Sequence, residues 1–100
     1  MQILALSRRL PGTTDAQLAP LAQVEAAAAF ALYAGGAFRS MHLLPERTGA
    51  MVVLECASVE EARLVMATLP MVKAGLIDFD YSRMLPYTNF KALFRDEQQA

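Results

Sequence analysis

The chain reads as an α+β domain, a four-stranded antiparallel sheet carrying two helices on one face. Three observations lead there. Strand-like segments bracket each of two helix-like ones, in the order strand–helix–strand–strand–helix–strand. A turn-rich break, "PERTG" at residues 45–49, separates two apolar runs and reads as a hairpin. Hydrophobic residues make up 55% of the 100, and the five glycines raise the comparable figure to 60%, against about 45–50% in ordinary globular domains. One hundred residues make one domain. Its small interior cannot hold the apolar excess, so a subunit interface, and with it an obligate homodimer, is predicted.

The first strand is "MQILALSR" (1–8), an apolar run that ends at charges and the turn-rich "LPGTT". Thr14 and Gln17 have capping-box spacing, in which each satisfies an orphan N–H at a helix start. Pro20 would break a helix interior but suits a first helical position. A first turn at 15–19 followed by a main helix over 20–34 reconciles the two, and Gly35 and Gly36 end it. Within that helix "AAAAFALYA" (26–34) has no charge on any face. Either small alanines stand next to solvent, or the helix is buried on two sides, which supports dimerisation.

The hairpin strands are "AFRSMHLL" (37–44) and "AMVVLEC" (50–56). With Leu44 paired to Ala50, His42 faces Val52, Ser40 faces Leu54 and Arg39 faces Glu55. An opposite-charge pair there contributes a few tenths to about 1 kcal/mol. The same register puts Phe38, Ser40, His42 and Leu44 on one face. Ser58 and Glu61 form a second capping box before "VEEARLVMATL" (59–69), which Pro70 closes. In "AGLIDFDYSRML" (74–85), Ile77, Phe79 and Tyr81 alternate with Asp78, Asp80 and Ser82. A short helix near 88–94 has Phe90, Leu93 and Phe94 as its apolar side, and "RDEQQA" (95–100) is expected to fray. This is the ferredoxin-like βαββαβ arrangement. Its uncovered sheet face still carries many apolar residues, and pairing two such faces closes a barrel between subunits.

The net charge of −1 argues against a general nucleic-acid or anionic-membrane binder, which needs a basic surface. A single cysteine makes no internal disulfide and fits a reducing cytoplasm. The apolar residues near the start have no basic region ahead of them, so no signal peptide is predicted. The longest uncharged run, 26–38, is 13 residues, where a membrane span needs about 20. A soluble cytoplasmic protein is expected.

His42, the only histidine, is the natural general acid or base because its unperturbed pKa lies near neutrality. The simpler account is a strand histidine beside a turn. Asp78 and Asp80 share a strand face, where desolvation would raise one toward a usable acid or base. Equally, they are charges that discourage edge-to-edge association. Tyr81 and Tyr33 can orient a substrate oxygen or simply pack. Arg39 can hold an anion bidentately or pair with Glu55. Ser40 reaches His42 only if strand twist brings the two together. No spacing specifies a Ser–His–Asp triad. One histidine and one cysteine without a carboxylate at ligand spacing make no metal site. The glycines form no phosphate-cradling loop, and Cys56 reads as a small buried hydrophobe. No cofactor is predicted. The second and last strands belong at opposite edges, about three spacings or roughly 14 Å apart. A His42–Asp pair therefore needs a second subunit.

"GAFR" (36–39), "MVVLEC" followed by "SVEEA" (51–62), and "ATLPMVKAGLIDFDYSRMLPY" (67–87) resemble the dimeric α/β-barrel proteins. Among these the muconolactone isomerase family is the most similar, over roughly residues 1–90. The resemblance implies a homo-oligomer with a small-molecule pocket between sheet and helices, and a cofactor-free proton shift on an unsaturated lactone. Phe38–Arg39 fills the family's aromatic–Arg pair, while Ser40, Met41, His42 and Leu43 replace its further polar and aromatic residues. Two function classes follow. One is a cofactor-independent enzyme acting on a small organic acid or lactone, with His42, Asp78 and Asp80 catalytic and Phe38, Arg39, Ser40 and Tyr81 around the substrate. The other is a non-catalytic small-molecule-binding or accessory dimer.

Overall fold

In a computed structural model that describes residues 1–94, β1 (Gln2–Arg9), β2 (Phe38–Leu43), β3 (Ala50–Glu55) and β4 (Ile77–Met84) form one antiparallel sheet in the order β2-β3-β1-β4. Strand β1 sits inside the sheet and alternates with period two. Ile3, Ala5 and Ser7 are buried, while Leu4 and Leu6 on the other face are half-buried. The helices are α1 (Asp15–Leu18), α2 (Ala22–Ala34), α3 (Val59–Met66) and α4 (Pro70–Lys73). Ala29 of α2, Ala62 and Met66 of α3, and Leu69 meet Ile3, Ala5, Val52, Leu54, Phe38 and Phe79 of the sheet in one core. Both main helices thus cover one face, as the element order requires.

The caps form where the sequence places them. The Thr14 hydroxyl accepts the Gln17 N–H at 3.3 Å, and Gln17 Oε1 accepts the Thr14 N–H at 2.8 Å. Pro20 lies in a 3-10 turn, Ala19–Leu21, between α1 and α2. At α3, Ser58 Oγ accepts the Glu61 N–H, while the Glu61 carboxylate reaches past the cap to the Ala57 N–H, both at 3.1 Å. Helix α3 stops at Met66, and Pro70 opens α4 at its first turn instead of closing the longer helix expected. Proline lacks only an N–H that a first turn leaves unpaired anyway.

The hairpin register differs from the expected one. Leu43 pairs with Ala50, His42 with Met51, Met41 with Val52 and Ser40 with Val53; an irregularity at Arg39 then lets Phe38 pair with Leu54. Leu44 belongs to the loop, its N–H donating to the Gly49 carbonyl at 3.1 Å. The Arg39–Glu55 and His42–Val52 pairings therefore do not form. The reason is Phe38, which packs beside Leu54 with 1% of its surface exposed. One inserted residue in β2 keeps Phe38 on the helix face with Met41 and Leu43, and turns Ser40 and His42 to the uncovered face. Without it, Phe38 would share a face with Ser40 and His42. Burying a phenylalanine is worth about 1.5–3 kcal/mol, more than the few tenths to about 1 kcal/mol of the cross-strand charge pair that is lost.

The charge-free part of α2 is covered on one side only within the chain. Ala29 is buried, while Phe30 and Tyr33 are 68% and 54% exposed. Beyond β4, every residue from 85 to 94 is exposed, including the 3-10 segment Thr88–Phe94. Tyr87 and Phe90 meet edge to face, 4.8 Å between centroids. The principal extents are 64 × 29 × 21 Å and the radius of gyration is 17.4 Å, against about 13 Å for a compact chain of this length. The segment projects from the body. The expected fraying of 95–100 lies outside the described residues.

Candidate functional site

Helix α2 faces the sheet with alanines. Ala22, Ala26 and Ala29 recur at helical spacing on its inner side. Small side chains there leave space that leucines would fill, and a cavity of about 380 Å³ results. Phe38, Met41 and Leu43 of β2, Val52 of β3 and Phe79 of β4 form its floor, with Leu18 on the helix side. A shallower groove of about 540 Å³ adjoins it along the outer edge of β2, lined by Phe30, Tyr33, Arg39, Ser40 and Met41.

The cavity wall has few polar groups. Glu25 is half-buried, and its Oε1 accepts the Met71 N–H at 2.9 Å, tying α2 to α4. Among the described residues no cation lies within ion-pair distance of its carboxylate. Ser7 is buried, and its Oγ accepts the Ala50 N–H at 2.8 Å. Arg47 donates to the Ser7 carbonyl at 3.2 Å, so the hairpin loop is moored to β1. Arg8 and Arg9 border the cavity, yet both guanidinium groups are engaged elsewhere. Arg9 pairs with Asp15 at 2.5 Å, and Arg8 turns to the uncovered face.

The residues expected around a substrate fall into separate places. Phe38 lines the cavity; Arg39 and Ser40 line the adjoining groove. His42 is exposed on the uncovered sheet face, opposite Met51, and among the described residues no carboxylate lies within ion-pair distance of it. Asp78 and Asp80 share that face on β4, at the opposite edge of the sheet. They are brought together by Arg8, which the sequence reading did not single out. Its Nε lies 3.1 Å from Asp80 and its Nη2 3.7 Å from Asp78. Asp78 also accepts the Phe79 N–H at 2.8 Å.

Tyr81 lies on the helix face away from the cavity, under the Arg63 guanidinium at 4.8 Å from its ring centre. Burial pushes its hydroxyl above the usual tyrosine value; Asp78 adds to this and Arg63 opposes it. Cys56 is buried, and burial, Glu61 and Glu55 all push its thiol up, which keeps it protonated and unreactive. Glu25 escaped the sequence reading although a signal was present. It is the only charged residue between Asp15 and Arg39. Among the described residues no three His, Cys, Asp or Glu side chains gather as a metal site, and no helix is long and apolar enough to cross a membrane.

No protein family and no curated protein matches the chain. Among solved structures it is similar to 5-chloro-2-hydroxyhydroquinone dehydrochlorinase (TftG) from Burkholderia phenoliruptrix AC1100, in complex with 2,5-dihydroxybenzoquinone. The TM-score is 0.68 at 19% identity, covering 85% of this chain and 94% of that one. The likeness establishes a shared fold, the ferredoxin-like sheet with helices.

Proposed function

We propose that this chain is a small-molecule-binding protein of the dimeric α/β-barrel type, with its ligand in the cavity between α2 and the sheet. The observation that carries this is the cavity itself, built by Ala22, Ala26 and Ala29 over an apolar floor. Its volume, about 380 Å³, lies in the roughly 300–1,000 Å³ range of small-molecule sites. The similar fold whose solved structure holds a small ring compound supports the same reading. A homodimer is supported by the half-buried Leu4, Leu6, Met51 and Val53 on the uncovered sheet face and by exposed Phe30 on α2. A reducing, cytoplasmic setting is supported by the lone buried cysteine.

The test places bulk in the cavity from a tolerant position. Ala26 lines the cavity but is exposed at its helix surface, so Ala26→Phe fills space without disturbing the core. Binding of ring-sized probes, followed by amide shifts, is expected to weaken at least tenfold while the unfolding temperature stays within a few degrees. Unchanged binding would move the ligand elsewhere.

A second reading makes the chain a cofactor-independent isomerase or related enzyme, shifting a proton on a small organic acid or lactone. One observation favours it. His42, Asp78 and Asp80 all face the uncovered side of the sheet, where a second copy's sheet would pack about 10 Å away. Edge strand β2 of one copy would then lie over β4 of the other, bringing His42 near the aspartates. The two readings put the ligand on opposite faces of one sheet. Shifts confined to Ala26 and Phe79 amides favour the cavity; shifts at Leu4, Met51 and His42 favour the dimer face. Turnover that vanishes in His42→Ala while binding persists would establish the enzyme.

A further inference from the structure

We infer that the cavity takes a neutral, hydroxyl-bearing apolar molecule that donates a hydrogen bond to Glu25, and that it turns carboxylates away. This rests on the cavity-binding reading and narrows it to a chemical class. Apart from Glu25, Ser7, Thr48 and two arginines engaged elsewhere the walls are apolar, so the few polar groups decide which ligands enter. Glu25 carries the one charge of α2. Its Oε1 is held by the Met71 N–H at 2.9 Å, which fixes the carboxylate at the cavity wall. Its lone pairs can accept but not donate. A ligand hydroxyl meets it with a charge-assisted hydrogen bond, about twice as strong as a neutral one.

A ligand carboxylate meets the same group as a like charge, and the half-buried position of Glu25 leaves that repulsion only partly screened. Among the described residues, neither arginine that borders the cavity itself is free to offset it. Of the two bordering arginines, Arg9 is paired to Asp15 at 2.5 Å and Arg8 to Asp80 at 3.1 Å on the other face of the sheet. Arg47 is turned to the Ser7 carbonyl. Ser7, whose oxygen already accepts the Ala50 N–H, keeps its hydroxyl proton to donate to a second ligand oxygen. Of the organic acid or lactone expected from the sequence, the cavity suits only a lactone that also carries a hydroxyl.

The experiment titrates the 100-residue chain at neutral pH with hydroquinone, benzoate and toluene, following the Ala26 and Phe79 amides by NMR. Hydroquinone is expected to bind at least tenfold tighter than benzoate. In Glu25→Gln, which keeps an amide oxygen for the Met71 N–H, that ratio should narrow at least fivefold, mainly because benzoate enters. Asp15→Asn releases the bordering Arg9 from its ion pair without filling the cavity or touching the Met71 bond, and should likewise admit benzoate. This second variant keeps the test decisive if Glu25→Gln does not fold. Benzoate binding as tightly as hydroquinone in the unaltered protein, or no gain of benzoate binding in a folded variant, overturns the inference. Toluene separates the choice of ligand class from the existence of a binding cavity. If it shifts those amides while hydroquinone shows no preference, the ligand class falls and the cavity stands; if none of the three shifts them, both fall.

Discussion

Gly49 shows how one position can carry a contact between distant parts of the chain. Its φ is +137°, and a Cβ built there would lie 2.7 Å from Ser7 Oγ. Gly49→Ala therefore combines backbone strain with a clash, a cost of about 1–3 kcal/mol. The midpoint of thermal unfolding should fall about 4–8 °C per kcal/mol. Ser7→Ala alone orphans the Ala50 N–H, also about 1–3 kcal/mol. The two share one contact, so the double variant should cost clearly less than their sum. Tyr81 gives a pH-dependent counterpart. Its proton is held more tightly in the folded chain than at the usual value of 10.0 because burial disfavours the phenolate. That stability is fully present below pH 10.0 and is lost as pH rises through the higher folded value. Tyr81→Phe should flatten the alkaline fall in unfolding temperature and delete a phenolate absorbance step above pH 10.0. Unaltered alkaline behaviour would show that Tyr81 is not the group involved.

The α3 cap is the clearest case of an element legible in the sequence. Ser58 and Glu61 are three apart, and the hydroxyl takes the Glu61 N–H as expected. Ser58→Ala should cost about 1 kcal/mol, read as a lower denaturant midpoint at unchanged slope; no shift would mean the cap is dispensable. Caps, strand order and the placing of both helices on one face depend on neighbours or on alternation, and these were readable. The hairpin register was not. Nothing local to Arg39 announces the irregularity, which follows from Phe38 needing Leu54 across the sheet. Pro70 was ambiguous for the opposite reason, since the same residue suits a helix that ends and one that begins. The site divides along the same line. Phe38 lines the cavity, but its separation from Ser40 and His42 onto the other face turned on that one inserted residue. Glu25 stood in plain view as a lone charge, but only the tertiary fold gives its helix a cavity to face.

At the scale of the molecule, the unspent apolar surface is the main fact. Phe30 and Tyr33 on α2, Leu43 at 84% exposure, and the projecting Leu85, Tyr87, Phe90, Leu93 and Phe94 all stand in solvent in the single chain. The proposed homodimer predicts one sedimenting species of twice the 10.9 kDa chain mass at micromolar concentration. A stable monomer there would remove the barrel from the account. The projecting segment has a consequence of another kind, for how the protein is degraded. A protease that cuts after large apolar residues finds four targets there, Tyr87, Phe90, Leu93 and Phe94, since Pro86 protects the bond after Leu85. Phe38 and Phe79, by contrast, are sealed in the core. Brief digestion of the native chain should therefore cut first between 85 and 94. Every residue of the buried core lies at or before Phe79, so the trimmed body should keep its fold and much of its unfolding temperature. If a second copy shelters the segment, cutting slows as protein concentration rises. The lifetime of those ten residues then reports, by mass action, how much of the chain is paired.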